Sequence, residues 1–192
     1  MEQVRCFIAI KLPDEIKRGL KELQAQLKSG GQAPVKWVDP YNIHLTLKFL
    51  GNVAIDKTGE ISRAMTKAVQ GVSPFQLEIK ELGVFPNPRR VQIIWVGVSG
   101  EVDKLASLQQ RLESNLEGLG FVPEGRRFTP HLTLARLRDR ATPDERAKLG
   151  QLIADTEFDA AFSFPVEAVN LIKSQLTREG PIYTRISSVE LK

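Results

Sequence analysis

The chain has 192 residues, of which 42% are hydrophobic and 26% charged, and its formal net charge is +4 at pH 7. These values are typical of a globular protein with one domain, or with two small lobes that share a core. No apolar run approaches the roughly 20 residues that span a bilayer, and the start lacks a secretion signal, so we expect a cytoplasmic protein without membrane segments.

Strand and helix patterns alternate through the first part of the chain. One apolar stripe, formed by Ile16, Leu20, Leu23 and Leu27, has the period of an amphipathic helix. The predicted elements are a strand over 5–11, a helix over 13–29, a loop through Trp37 and Pro40, a strand over 43–50, a helix from about 56 and a strand over 75–80.

The second part of the chain repeats this order of elements. Its predicted elements are a strand over 91–98, a helix from about 101, a strand that begins near 131, a helix over 142–155 and a strand over 162–169. Thr142 and Glu145 form a capping-box pattern at the start of the last helix. Equivalent positions in the two parts lie 87 or 88 residues apart. A final strand over 182–191 has no counterpart.

A duplicated tetrapeptide contains both histidines of the chain. His44-Leu45-Thr46-Leu47 recurs as His131-Leu132-Thr133-Leu134. In an extended strand, histidine and threonine point to one face and the two leucines to the other. Each copy therefore buries two leucines and presents an imidazole beside a hydroxyl.

The repeat predicts an α+β fold with two pseudo-twofold-related lobes. Each lobe would be a mainly antiparallel sheet with helices on its outer face, and the lobes would enclose a central cleft. We expect a single bilobal domain over 1–192, built from repeats at about 5–82 and 91–169 plus the C-terminal strand. Symmetry would then bring both histidine-threonine faces to one cleft.

Two facing histidines suit acid–base chemistry at phosphorus. Histidine titrates near pH 6.5, so one neutral and one protonated ring provide a general base and a general acid. Threonine hydroxyls can donate to phosphoryl oxygens, which makes this a metal-free phosphoryl-transfer site. Two histidines without further ligands are a poor zinc site, and no serine or cysteine nucleophile signature is present. The structural alternative is that the histidines are hydrogen-bonded sheet residues and the threonines strand formers.

The paired motifs resemble the His-x-Thr-x signatures of the two-histidine phosphoesterase superfamily, and within it the RNA 2′,3′-cyclic phosphodiesterases, also called 2′-5′ RNA ligases. The resemblance covers nearly the whole chain. It is carried by Arg5 to Ile10, Trp37, His44 to Gly51, Arg90-Val91, Trp95-Val96-Gly97 and Phe128 to Arg136.

That resemblance implies hydrolysis of a terminal 2′,3′-cyclic phosphate to a 2′-phosphate, with joining to a 5′-hydroxyl as a related reversible activity. It implies His44 as proton donor, His131 as proton acceptor, and substrate binding by Thr46, Thr133 and Arg136. The implied partner is RNA with a cyclic phosphate end, tRNA fragments being one candidate, and the implied enzyme is a monomer without cofactor or metal. The identical motif contexts do not themselves separate the two histidine roles.

Other polar and aromatic residues have a structural and a functional interpretation. Strict alternation puts Arg136 on the leucine face, so it needs a strand end or a bulge to reach the cleft. Lys48 shares the face of His44 and either attracts phosphate or is solvated. The remaining candidates are Phe7, Trp37 and Phe85, which stack on a base or pack in the core, and Arg89, Arg90, Arg126, Arg127 and Arg138, which follow an RNA backbone or are scattered surface charges.

Three functions remain open from the residues. The leading one is the RNA cyclic phosphodiesterase. The second is the same chemistry on a small cyclic nucleotide or an ADP-ribose-derived cyclic phosphate, and the third is a non-catalytic nucleotide- or RNA-binding module. Dependence on oligonucleotide length and on salt would separate the first two.

Overall fold

The computed structural model describes residues 2–31, 33–158 and 162–192. Four helices and nine strands lie in these ranges. They are β1 (Gln3–Lys11), α1 (Asp14–Ser29), β2 (Val35–Trp37), β3 (His44–Ala54), α2 (Thr58–Val69), β4 (Phe75–Phe85), β5 (Ile93–Gly100), α3 (Val102–Glu117), β6 (His131–Leu137), α4 (Pro143–Asp155), β7 (Phe162–Val166), β8 (Ala168–Leu176) and β9 (Pro181–Glu190).

The strands form two antiparallel sheets, which confirms the predicted α+β fold. The first sheet has the order β3-β1-β8-β9, and the second has the order β2-β6-β5-β4-β7. None of the four helices is long and apolar enough to cross a membrane.

Each sheet takes strands from both halves of the sequence. The first sheet receives β8 and β9 from the second half, and the second sheet receives β2 and β4 from the first half. Where the halves meet, β4 and β7 pair with each other, and Leu77 lies opposite Phe164, which is 87 positions later. The side chains of Gln76 and Ser163, also 87 apart, come within 3.4 Å of each other. A local twofold axis therefore passes through the β4–β7 pair.

The helices cover the outer faces of the sheets, and each sheet is covered by one helix from each half of the chain. Helices α2 and α3 lie against the first sheet, where Ser62 of α2 bonds to Ser187 of β9. Helices α1 and α4 lie against the second sheet, and Gly19 of α1 faces the Phe162 ring so closely that a side chain at this position would collide with it. The buried apolar stripes of these helices and the leucines of both motifs belong to one continuous core.

Most predicted elements are confirmed, including the Thr142–Glu145 capping box. Four boundaries were wrong. The loop through Trp37 contains the short edge strand β2, and the strand predicted over 43–50 continues through Gly51 to Ala54. β4 continues to Phe85, and the predicted strand over 162–169 is two strands, of which β8 continues to Leu176. β2 pairs with β6 and β8 pairs with β1, so the partners of these two strands are distant in sequence and leave no local pattern.

Candidate active site

Both histidines begin a strand and are held by the same hydrogen bond. His44 Nδ1 lies 2.7 Å from the carbonyl oxygen of Asn42, and His131 Nδ1 lies 2.7 Å from that of Thr129. Because a carbonyl only accepts, each Nδ1 carries the proton and donates it. Each Nε2 is thereby left as the nitrogen that can exchange a proton with a ligand.

A β-bulge follows the threonine of each motif at the equivalent position. In the first sheet Thr46 pairs with Ala9 and Lys48 with Ile8, so Leu47 is the extra residue. In the second sheet Thr133 pairs with Trp95 and Ala135 with Ile94, so Leu134 is the extra residue. A bulge reverses the alternation of every side chain beyond it. Both motif strands therefore change faces one residue after the His-x-Thr segment.

The bulge in β6 brings Arg136 to the face of His131 and Thr133. Leu134 and Ala135 are both buried, and Arg136 is exposed. Strict alternation had placed Arg136 on the leucine face, and the bulge is the feature that turns it to the other side. Arg136 thus follows Thr133 on one surface.

The bulge in β3 has the opposite consequence for Lys48. The residue is 7% exposed, and its side chain turns into the core, where it forms an ion pair with Glu113 of α3 and donates to the Val122 carbonyl oxygen at 2.9 Å. Both sequence interpretations of Lys48, a phosphate ligand and a solvated lysine, were wrong. Lys48 joins the first motif strand to α3 and to the segment that leads to the second motif.

A buried glutamine supports the other bulge. Gln24 of α1 is 1% exposed, and its Nε2 donates to the carbonyl oxygens of Leu134 at 3.0 Å and Val38 at 2.8 Å. Leu134 is the extra residue of the bulge, and its carbonyl oxygen also accepts from the Val38 backbone N–H at 2.9 Å. The amide of Gln24 is therefore a second donor to that oxygen, from the helix side.

Aromatic rings surround His44 on the concave face of the first sheet. The Phe7 ring stacks on the imidazole with a centroid distance of 4.5 Å, and the Tyr183 ring meets it edge-on at 5.2 Å. Phe7, Ala9 and Ile172 form a second small buried cluster, separate from the main core, against which Tyr183 packs. Asn42 also donates to the Pro181 carbonyl oxygen at 3.1 Å, which ties β9 to the start of β3.

Tyr183 was not among the residues predicted from the sequence. It lies on the strand without a repeat counterpart, and it reaches His44 only because the first sheet coils so that β9 approaches β3 across its concave face. No local pattern marks such an approach.

The surroundings of His131 are different. The Phe85 ring meets His131 edge-on at 5.1 Å and lies 5.1 Å from the Trp95 ring. Trp95 in turn covers Gly83, where a side chain would collide with the indole. Trp37, the third aromatic candidate, pairs with Ala135 on the core side, and its ring lies 5.3 Å from the Lys28 ammonium. Trp37 is therefore outside this surface.

Residues of both sheets face one cleft. The motif strands β3 and β6 lie next to each other across the sheets. Burial raises the pKa of Tyr183, and the positive charges of Arg5 and Arg136 act on it in the opposite direction. Tyr183 touches His44 in the first sheet, whereas Arg136 belongs to the second. Arg136 of the second sheet therefore lies near Tyr183, the ring that touches His44 in the first sheet.

The hydrogen bonds of the two histidines differ in burial. Burial lowers the pKa of His44 to about 4, the hydrogen bond to the Asn42 carbonyl opposes this shift, and the charge of Lys17 adds to it. The bond between His44 and Asn42 is partly buried, whereas the equivalent bond of His131 is exposed. His44 is accordingly a neutral ring at pH 7.

The remaining arginine candidates lie elsewhere. Arg89 and Arg90 are in the exposed turn before β5. Arg138 lines a cavity of about 510 Å³ beyond the end of β6, and Arg126 and Arg127 line one of about 650 Å³ beside α3. Neither cavity is lined by a histidine. In the part of the chain that the structure describes, no group of three His, Cys, Asp or Glu residues could hold a metal ion.

Two His-x-Thr strands that face one cleft between pseudo-twofold lobes define a two-histidine phosphoesterase. Residues 10–95 and 96–183 each match the family described as LigT like Phosphoesterase. The RNA 2′,3′-cyclic phosphodiesterase of Methanothermobacter thermautotrophicus is 38% identical over 95% of this chain and 96% of its own. That of Aquifex aeolicus is 32% identical over 100% and 99%.

Solved structures agree with these relatives. The crystal structure of E. coli LigT complexed with 3′-AMP superimposes with a TM-score of 0.75 at 26% identity, and covers 100% of this chain and 99% of that one. The chain belongs to the LigT like Phosphoesterase family.

Proposed function

We propose that the protein hydrolyses the 2′,3′-cyclic phosphate end of RNA to a 2′-phosphate without a metal ion. The convergence of two His-x-Thr faces, each with a free imidazole Nε2, supports this proposal most strongly. RNA as the substrate is supported by the names of the relatives in Methanothermobacter and Aquifex. All proposed groups belong to one chain, so a monomer suffices, and the expected substrate is cytoplasmic RNA, tRNA fragments being one candidate.

The reaction moves two protons. His131 Nε2 takes a proton from the attacking water as its oxygen bonds to phosphorus, and the bond from phosphorus to O3′ breaks. His44 Nε2 gives a proton to the departing O3′, which becomes the 3′-hydroxyl while the phosphate stays on O2′. In-line displacement requires the two rings on opposite sides of phosphorus. The pseudo-twofold lobes offer such an arrangement.

The ligation reaction uses the same bonds. When a 5′-hydroxyl replaces water, it loses its proton to His131 and bonds to phosphorus, and O3′ departs with the proton of His44. The product is a 2′-5′ phosphodiester, and the reverse reaction restores the cyclic phosphate.

Three further side chains would hold the non-bridging oxygens. The hydroxyls of Thr46 and Thr133 lie on the histidine face, and Arg136 follows Thr133 on that face after the bulge. Hydrogen bonds from these groups would strengthen as negative charge develops on phosphorus. Arg136 adds a full positive charge and a two-pronged donor.

The proton on His44 needs a source, because this ring is neutral at pH 7. A bound phosphate places negative charge opposite Nε2, which favours the imidazolium form. We propose that substrate binding raises the pKa of His44, so that the donor is protonated only when phosphate is present.

The test is turnover of a short RNA that ends in a 2′,3′-cyclic phosphate, with chelator present and nucleoside triphosphates absent. We expect a 2′-phosphate product, and an Arg136→Ala variant that has lost about 10- to 1,000-fold in kcat/KM. Arg138→Ala, two residues along the chain but outside the cleft, is the matched control with wild-type activity. A 3′-phosphate product, or activity that disappears with chelator, would contradict the proposal.

A further inference from the structure

Phe49 is an exposed aromatic residue on the histidine face of the first sheet. It pairs with Phe7 across β1 and β3, and paired residues share a face. The Phe7 ring contacts two other rings, with centroid distances of 4.5 Å to the His44 ring and 6.2 Å to the Phe49 ring. Phe7 is 4% exposed, whereas Phe49 is 67% exposed. A continuous aromatic surface thus extends from the imidazole to an open ring.

The bulge at Leu47 places Phe49 on this surface. Without the extra residue, alternation would turn Phe49 to the core and Lys48 to the cleft. The structure shows the reverse, with Lys48 buried against Glu113 and Phe49 facing outward. The bulge at Leu47 thus both buries Lys48 and leaves the Phe49 ring in solvent.

The position of Phe49 in the repeat is occupied by Arg136 in the second motif strand. The two residues are 87 positions apart, and each follows the bulge of its strand. One side of the cleft therefore presents an aromatic ring where the other presents a guanidinium group. A substrate with a flat apolar part and an anionic part matches this asymmetry.

On the basis of the proposed function, we propose that Phe49 is a base-stacking residue for the RNA whose cyclic phosphate lies between the histidines. Nucleobases stack on exposed aromatic rings with little sequence preference, and one such contact contributes about 1–3 kcal/mol. Arg5 and Arg136 act on Tyr183 beside this surface, so cationic side chains flank the aromatic rings. This charge favours a nucleic acid over a neutral apolar ligand.

The test compares an oligonucleotide ending in a 2′,3′-cyclic phosphate with a mononucleoside 2′,3′-cyclic phosphate. Phe49→Ala should raise KM for the oligonucleotide about 5- to 100-fold, the range of one base stack, with the loss in KM rather than kcat. Phe49→Trp should keep the wild-type KM or lower it. Ile55→Ala, another exposed apolar residue just beyond β3, is the control with unchanged KM.

The two substrates show which base is bound. A raised KM for both places the terminal base on Phe49, and a raised KM for the oligonucleotide alone places an upstream base there. Equal KM values for wild type, Phe49→Ala and Phe49→Trp on both substrates would overturn the proposal while leaving the hydrolysis intact. A wild-type protein without turnover on either substrate would instead contradict the proposed function.

Discussion

His44 and His131 share one hydrogen-bond geometry but not one environment. Both donate through Nδ1 to a carbonyl two residues earlier, whereas His44 is enclosed by the rings of Phe7 and Tyr183. Identical tetrapeptides cannot encode this difference, because the enclosing rings come from β1 and β9. The sequence therefore predicts both histidines as candidate site residues, whereas the burial that lowers the pKa of His44 comes from the folded surroundings.

The first prediction concerns proton loading of His44. We expect its pKa, about 4 in the empty protein, to rise by at least one unit when a nucleoside 2′-phosphate is bound, because the phosphate charge stabilises the imidazolium. The chain has two histidines, so a His131→Gln variant leaves a single imidazole to follow by NMR titration. A pKa that stays constant or falls on binding would contradict the donor role.

The second prediction concerns stability in acid. The folded-state pKa of His44 lies below the unfolded value near 6.5, so the unfolded chain takes up this proton first as the pH falls. The stabilisation that comes from the neutral His44 ring is fully present above about pH 6.5 and is lost progressively as the pH falls to about 4. Its size is on the order of 3 kcal/mol. Denaturant unfolding from pH 7 to 4 should show a smaller acid loss for His44→Gln than for wild type, and equal losses would contradict the assignment.

The strand bulges are the element that the sequence pattern misses. Alternation predicts His44 and Thr46 on one face correctly, since both precede the bulge, and fails for Lys48, which follows it. It fails for Arg136 in the same way, because the bulge at Leu134 turns this residue to the histidine face. A bulge requires no particular residue type and does not interrupt an apolar run, so the sequence carries no sign of it. Only the pairing register of the folded sheet reveals it.

The third prediction tests the support of the second bulge. Gln24→Leu removes two buried hydrogen bonds, one to the Leu134 carbonyl oxygen, which keeps the Val38 N–H as its other donor, and one to the Val38 carbonyl oxygen. We expect a loss of about 1–3 kcal/mol in the free energy of unfolding. We also expect a lower kcat, because Leu134 directly follows Thr133 in the motif strand.

Gln26→Leu is the matched control for this change, since Gln26 lies on the exposed side of the same helix. It should keep wild-type stability in denaturant and wild-type kcat. A Gln24→Leu variant indistinguishable from Gln26→Leu would show that the bulge does not depend on α1.

At the scale of the whole molecule, the lobes are interleaved. Sequence periodicity predicts two repeats and a shared cleft, but it does not reveal that β4 and β8 cross to the opposite sheets. Pairing between distant strands depends on packing that no local stretch specifies. The exchange makes each sheet depend on both halves of the chain.

The fourth prediction follows from this exchange. Fragments 1–88 and 89–192, separated in the turn between β4 and β5, should each lack a cooperative unfolding transition, because each lacks strands of its own sheet. Mixed together, they should recover native circular dichroism and a cooperative transition. A fragment 1–88 that folds cooperatively alone would show that the repeats are independent units.

The central claim is that both histidines serve one site. The most direct measurement is kcat/KM of wild type, His44→Ala, His131→Ala and the double variant on an RNA with a 2′,3′-cyclic phosphate end. We predict that each single substitution lowers kcat/KM at least about 100-fold. The double variant should have nearly the same kcat/KM as the less active of the two single variants. Single variants that keep about half of the activity, with complete loss only in the double variant, would indicate two separate sites and contradict the account.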